Sequence, residues 1–262
     1  MEDYRIKIYT RSMNPALYDR AMFFMDLPYP KIRLTHTTAD GYFYKILEDT
    51  EADIVVNIDE DAFVFNTKRL QSLIQYVIDN DYVNCGMPDG GVVGIRAYSP
   101  VVTNPYFNIL NTKKIRERFS LNEIKNIAAH PPFDASSHPK YLLKTNYRIE
   151  IAEPFYPFFL WINQYFKTFY LDAEDHSDHY STCLKNHNGE PFLLHTWFSR
   201  NYYFNRFHTR RINAVVAYCE TKTGKKFKED IEKKIRNLIW IIFTFSNTQR
   251  RKIRRWYYAS KK

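Results

Sequence analysis

The chain has 262 residues, 45% hydrophobic and 17% aromatic, enough apolar material for one large α/β domain or two small ones. Only 7 glycines stand against 21 tyrosines and 20 phenylalanines, which excludes low-complexity, collagenous and repeat architectures. The net charge of +9 sits at one end: residues 225–262 carry thirteen basic and three acidic side chains, leaving residues 1–224 close to neutral.

Tyr4–Thr10 alternates and is rich in β-formers, which predicts a first strand. Asn14-Pro15 opens a helix to about Met25, with Asn14 as N-cap and Pro15 in its first turn. Lys31–Thr35 is a candidate second strand, and Asp40–Thr50 has apolar residues at helical spacing. Ile54–Ile58 is a continuous apolar run of the kind buried in parallel sheets. Leu70–Asp79 returns to helix, with Leu70, Leu73, Ile74, Val77 and Ile78 on one face. This β-α-β-α-β-α order predicts a doubly wound α/β sheet. Beyond it, Gly86–Gly94 reads as a loop, Asn104–Thr112 is mixed, and Ile115–Ala129 reads as a helix. Residues 130–147 read as a Pro- and His-bearing loop, Glu153–Tyr170 as an aromatic helix, and Phe192–Trp197 as a short strand. Residues 227–258 read as one or two amphipathic helices.

The N-terminal MEDYRIKIYTRS lacks the basic-then-apolar order of a secretory signal. No apolar run reaches the roughly 18 residues of a bilayer span. Cys85, Cys183 and Cys219 form no CxxC, so they read as reduced core thiols of a cytoplasmic protein.

Three carboxylates, Asp59, Glu60 and Asp61, directly follow the buried run Ile54–Ile58. In an open α/β sheet that position lies beyond the carboxyl end of a strand, where ligands bind. Residues i and i+2 of an extended segment point the same way, so Asp59 and Asp61 face one ligand while Glu60 points elsewhere. Two hard oxygen donors at this spacing suit Mg²⁺ or Mn²⁺, which then gathers the oxygens of a diphosphate. The bland alternative is an idle acidic turn.

The segment DIVVNIDEDAF resembles the strand-then-DxD element of nucleotide-sugar glycosyltransferases with the GT-A fold. GEPFLLHTWFSR resembles the segment that carries a late metal-ligating His in many members, here His195, with Arg200 five residues on. The resemblance covers roughly residues 4–205. It implies a GT-A-like, Rossmann-like mixed sheet flanked by helices. It also implies a nucleotide-sugar donor, UDP-linked, whose diphosphate meets Mn²⁺ or Mg²⁺ held by Asp59, Asp61 and His195. Thr10, Arg11 and Asp40 would meet the base and ribose, Lys45 the phosphate, and Met87–Gly91 the donor sugar. An inverting transferase needs a carboxylate base, for which Asp89, Glu153, Asp172 and Asp175 stand as unranked candidates. A retaining one needs none, and stereochemistry stays open. His176 and His179 of DHSDH have the spacing of Zn²⁺ ligands, but their polar surroundings read as a surface loop.

The chain is thus divided into a catalytic domain, residues 1–224, and a basic amphipathic helical tail, residues 225–262. In the tail, Leu238–Phe245 is apolar and is followed by Arg250–Arg255, Trp256, Tyr257 and Tyr258. Such a segment packs partly as a helix and lies against an anionic membrane surface through residues 238–262, each basic residue contributing about 1 kcal/mol. The neutral body and the lack of a reading motif argue against nucleic acid. The overall expectation is a hexosyltransferase acting on a glycan or lipid-linked acceptor at the inner face of a membrane, as in bacterial surface polysaccharide assembly. Two alternatives remain. A haloacid-dehalogenase-like phosphatase also uses DxD, but at its first strand and with a different residue at the Phe63 position. The other is a non-catalytic membrane or nucleic-acid adaptor.

Overall fold

Strand Ile54–Ile58 is wholly buried, and the computed structural model, which describes residues 4–130 and 139–259 with side chains to Arg254, builds its larger sheet around it. Part of the expected loop at 130–147 and the side chains of Trp256, Tyr257 and Tyr258 lie outside the described residues. In chain order the strands are β1 (Ile6–Arg11), β2 (Lys31–Leu34), β3 (Ile54–Ile58), β4 (Ala62–Val64) and β5 (Asn84–Gly86). They continue as β6 (Phe107–Asn111), β7 (Thr168–Tyr170), β8 (Ala173–Asp175), β9 (Thr182–Lys185) and β10 (Pro191–His195). The helices are α1 (Pro15–Phe24), α2 (Gly41–Leu47), α3 (Thr67–Asp79), α4 (Thr112–Arg118), α5 (Leu121–Ala129), α6 (Tyr156–Tyr165), α7 (Arg206–Thr223) and α8 (Ile231–Ala259).

The larger sheet has the order β2-β1-β3-β6-β5-β7. β1 pairs in parallel with both β2 and β3, as the βαβα lead requires, but β6 enters antiparallel between β3 and β5. The sheet is therefore mixed and flanked by helices, not uniformly parallel. A smaller antiparallel sheet, β4-β10-β9-β8, leaves the larger one where the chain turns after β3. Apolar side chains of β1 and β3 feed clusters on both faces, with Ile8, Ile54 and Val56 on one side and Tyr9 and Val55 on the other. β3 and β6 also carry polar residues inward. Asn57 takes a hydrogen bond from Tyr42 Oη (2.7 Å) and donates to Pro105 O (2.6 Å) and Asn108 Oδ1 (3.2 Å), so its burial leaves no amide unpaired.

α1 starts as expected. Asn14 Oδ1 accepts from the amides of Ala16 and Leu17 at 3.0 and 3.3 Å. The single helix expected over Ile115–Ala129 is two, α4 and α5, because the chain leaves helical geometry at Phe119 and Ser120 caps α5 through the Glu123 amide. The helix expected over Glu153–Tyr170 stops at Tyr165, and Thr168–Tyr170 becomes β7, paired with β5. α8 is one continuous helix. It is held to α1 by Arg236 with Asp19, and through the preceding segment by Glu229 with Arg20 (3.2 Å) and Phe227 against Phe23 (5.4 Å). Its apolar stripe Ile231, Ile235, Leu238, Ile242, Phe245 and Ile253 does not pack on the body, each side chain being 53–74% exposed. Among the described residues no helix is long and apolar enough to cross a membrane.

Candidate active site

The acidic turn sits where the two sheets part. Asp59 follows β3, and its amide donates to Tyr106 O (2.9 Å), fixing the turn to the start of β6. Asp61 precedes β4. β4 pairs with β10 in the register His195↔Ala62, Leu194↔Phe63 and Leu193↔Val64, which brings His195 back onto the turn. The Thr196 amide and hydroxyl both donate to Asp61 O, at 2.9 and 3.1 Å. One ligand atom from each of Asp59, Asp61 and His195 lies within 4.8 Å of the others, the one such group of three among the described residues. The His195 ring lies flat on Tyr106, with centroids 4.2 Å apart and planes 2° apart, and Trp197 meets its edge.

Electrostatics suit a cation here. Burial and the neighbouring Asp61 push Asp59 up, against the pull of Arg11 and Arg200. Burial alone would raise Asp61 too, but the adjacent His195 outweighs it and holds the carboxyl below its usual range. The His195 Nδ1 atom is buried and has no hydrogen-bond partner. Two carboxylates and an imidazole form a hard oxygen and nitrogen set that fits Mn²⁺ or Mg²⁺.

Glu60 does point elsewhere. It accepts from Ser12 Oγ (2.8 Å) and from the amides of Met13 (2.8 Å) and Asn14 (2.6 Å), tying the β1–α1 turn to the acidic turn. Burial pushes it up to about 8 despite these bonds. No sequence pattern announced this role, though a carboxylate between two site residues is where to look for it.

Two cavities meet at the turn, sharing Arg11, Asp59, Asp61, Ser199 and Arg200. One, of about 460 Å³, runs under α8 past Asn14, Thr37 and Trp240. Asn14 Nδ2 and Thr37 Oγ1 are buried in its wall without hydrogen-bond partners. The other, of about 490 Å³, runs past Arg96, Glu153, His195 and Trp197. Arg11 and Arg200 make no ion pair with a carboxylate among the described residues, which leaves both guanidiniums for a ligand.

The remaining expected residues scatter. Thr10 is wholly buried in β1, and its hydroxyl lines neither cavity. Asp40 stands at the start of α2 without a capping hydrogen bond, and Lys45 pairs with Glu48 on the surface of that helix; neither lines the cavities. Met87–Gly91 is mostly core. Gly90 lies so close to Tyr98 that a Cβ there would stand 1.9 Å from its carbonyl oxygen. Asp89 is fully buried. It takes both Arg96 donors at 2.9 and 2.8 Å, Tyr156 Oη at 2.5 Å and the Asn104 amide. Asp172 pairs with Lys144 and Lys185, and Asp175 accepts from the Gly94 amide. Glu153 alone of the four base candidates lines a cavity that also holds Asp59, Asp61 and His195. His176 and His179 flank a turn in which Asp178 binds Ser181 and Arg211; among the described residues they form no three-residue ligand group.

No protein-family model matches the chain, and no curated protein matches it. Several solved structures align with parts of the chain. A mannosyltransferase from Pyrobaculum calidifontis, in complex with GDP-Man and Mn²⁺, aligns with a TM-score of 0.34 and 11% identity over 44% of this chain and 46% of that one. A protein from STIV aligns at 0.38 and 12% identity over 72% of this chain and 93% of that one. A glycosyltransferase involved in glycosylation of the major capsid of PBCV-1 aligns at 0.32 and 8% identity over 55% of this chain and 80% of that one. The match thus spans just under half the length of the first of these proteins.

Proposed function

We propose that the protein is a metal-dependent glycosyltransferase that moves a sugar from a nucleotide-sugar, UDP-linked, to a glycan or lipid-linked acceptor. The observation that carries this reading is the convergence of Asp59, Asp61 and His195 at the end of β3, beside the unpaired Arg11 and Arg200. A divalent cation held there supplies charge neutralisation for a departing diphosphate. Arg11 and Arg200 add fixed positive charge around the same oxygens. The orphaned Asn14 Nδ2 and Thr37 Oγ1 offer a donor and a hydroxyl to a polar ligand such as a nucleoside. Glu153 is assigned the base that accepts the acceptor hydroxyl's proton, because it shares the metal-side cavity while Asp89 is saturated by four donors. Trp197, against His195, supplies an aromatic wall to that cavity.

The exposed stripe of α8, with Lys234, Arg250, Lys252 and Arg254 on the same helix, is assigned to the inner surface of a membrane, with the protein otherwise in the cytoplasm.

The test is a melting-temperature screen with UDP, GDP, CMP and dTDP, with and without Mn²⁺, beside Asp61→Ala. A shift that requires both one nucleotide and metal, and that Asp61→Ala loses, is expected. A shift with Mg²⁺ and a phosphate mimic instead would replace the reading with a phosphatase, and no shift at all would leave an adaptor.

A further inference from the structure

A third cavity, of about 630 Å³, lies between α8 and the carboxyl ends of β1 and β2. That volume is within the roughly 300–1,000 Å³ range of small-molecule sites. Its wall is divided by chemistry. Ile239, Trp240 and Phe243 of α8 supply an apolar side, and Arg33, Arg236 and Arg251 a cationic one. Arg236 is neutralised by Asp19, but Arg33 and Arg251 make no ion pair with a carboxylate among the described residues. Arg33 is half-buried, donates its Nε to Ser12 Oγ (3.0 Å), and rests 4.9 Å from the Tyr18 ring. Burial disfavours its charge, an imbalance that an anionic ligand would relieve. The cavity adjoins the first site cavity, with Met13, Trp240, Thr244, Thr248 and Arg251 in both walls. Ser12 also donates to Glu60, so the cationic wall is bonded to the turn that carries Asp59 and Asp61.

We propose that this cavity takes an amphiphile with a phosphate head and an apolar chain. The head meets Arg33 and Arg251, and the chain leaves along Ile239 and Phe243 to the exposed face of α8. The binding of an amphiphilic phosphate here does not rest on the transferase reading above.

The test is a titration of the full chain with monomeric dodecyl phosphate, dodecanol and inorganic phosphate, followed by calorimetry, with Arg33→Gln and Phe243→Ser alongside. Phe243 is largely exposed, so its replacement leaves the fold intact. Dodecyl phosphate should bind at least about tenfold more tightly than either half-molecule, and each substitution should weaken it about fivefold or more. Equal binding of dodecanol or of inorganic phosphate would overturn the proposal, as would indifference to both substitutions. So would affinity for vesicles or micelles alone, which would place it on the outer face of α8. The nucleotide screen separates this proposal from the transferase reading. Dodecyl phosphate binding without a nucleotide shift keeps the cavity and removes the transferase, and a nucleotide shift without dodecyl phosphate binding does the reverse.

Discussion

The Nε2 atom of His195 stands 3.2 Å from Oδ1 of Asp61, a pair separated by 134 positions in the chain. The β4–β10 ladder makes the meeting, so the metal-side geometry belongs to the smaller sheet as much as to β3. His195→Ala removes one donor of three and leaves the ladder in place. Mn²⁺ affinity should fall by about 100-fold, as calorimetry on both proteins would show.

Tyr106 holds that histidine by stacking, while its hydroxyl reaches only the Met87 sulfur at 3.4 Å. Tyr106→Phe should therefore keep metal affinity unchanged. Tyr106→Leu frees the ring to rotate, and Mn²⁺ should bind about tenfold more weakly. Equal affinities in the two variants would show that the stack does not orient the ligand.

Glu153 and Asp89 offer a contrast between chemistry and architecture. Glu153→Gln should lower kcat by about 100-fold or more at unchanged stability. Asp89→Ala removes the buried partner of Arg96, leaving it only Glu153 at 3.5 Å, and should cost about 3 kcal/mol in urea denaturation.

Asp178 joins the turn after β8 to α7 through Arg211, which is itself buried. Burial opposes its ionisation, but hydrogen bonds from Ser181, the Tyr180 amide and Arg211 bring it down to about 2. A carboxyl depressed on folding stabilises above its unfolded value near 3.9, and that contribution is lost as pH falls through the folded value. Asp178→Asn should thus cost about 2 kcal/mol at neutral pH. The gap between the two proteins should narrow below about pH 4 and close near pH 2, as denaturation across that range would record.

Leu238 and Ile242 contribute little to the fold, being more than half exposed. The double substitution Leu238→Glu and Ile242→Glu should leave the melting temperature within about 1–2 °C of the parent. It should abolish co-sedimentation with anionic vesicles, which the parent should show and lose at high salt. Binding that survives the substitutions would remove the membrane from the reading.

Much of the first half was legible because local signals agreed. Asn14 with Pro15, the β-branched run before Asp59 and the apolar face of Leu70–Val77 each pointed to the element found. Asp59, Asp61 and His195, picked by residue type beside a strand end, lie together in the structure. What failed was non-local or ambiguous. FNILN reads poorly as a strand because Asn108 is satisfied by the Thr103 side chain and Asn111 caps the next helix through the Lys114 amide, and its antiparallel entry depends on β3 and β5. β4 is three residues whose pairing lies 130 positions away in β10. α7 was missed outright, since its arginines and threonines hide a narrow buried face of Ile212, Val215, Val216 and Cys219. The apolar segment Leu238–Phe245 was expected to pack in part, but the docking contacts of α8 come from Arg236, Asn237 and Trp240.

The three bonds that Glu60 receives from Ser12, Met13 and Asn14 act as a caliper between the two loops beside the cavity. Neither loop can drift without breaking a buried hydrogen bond, so their separation is set before anything binds. A ligand spanning them loses less free energy to ordering the protein, and its length is gauged against a fixed opening. Shortening the caliper by one methylene, as in Glu60→Asp, would leave both loops present but mis-spaced. A protein so altered would still discriminate among ligands, but with its preference moved toward a different reach.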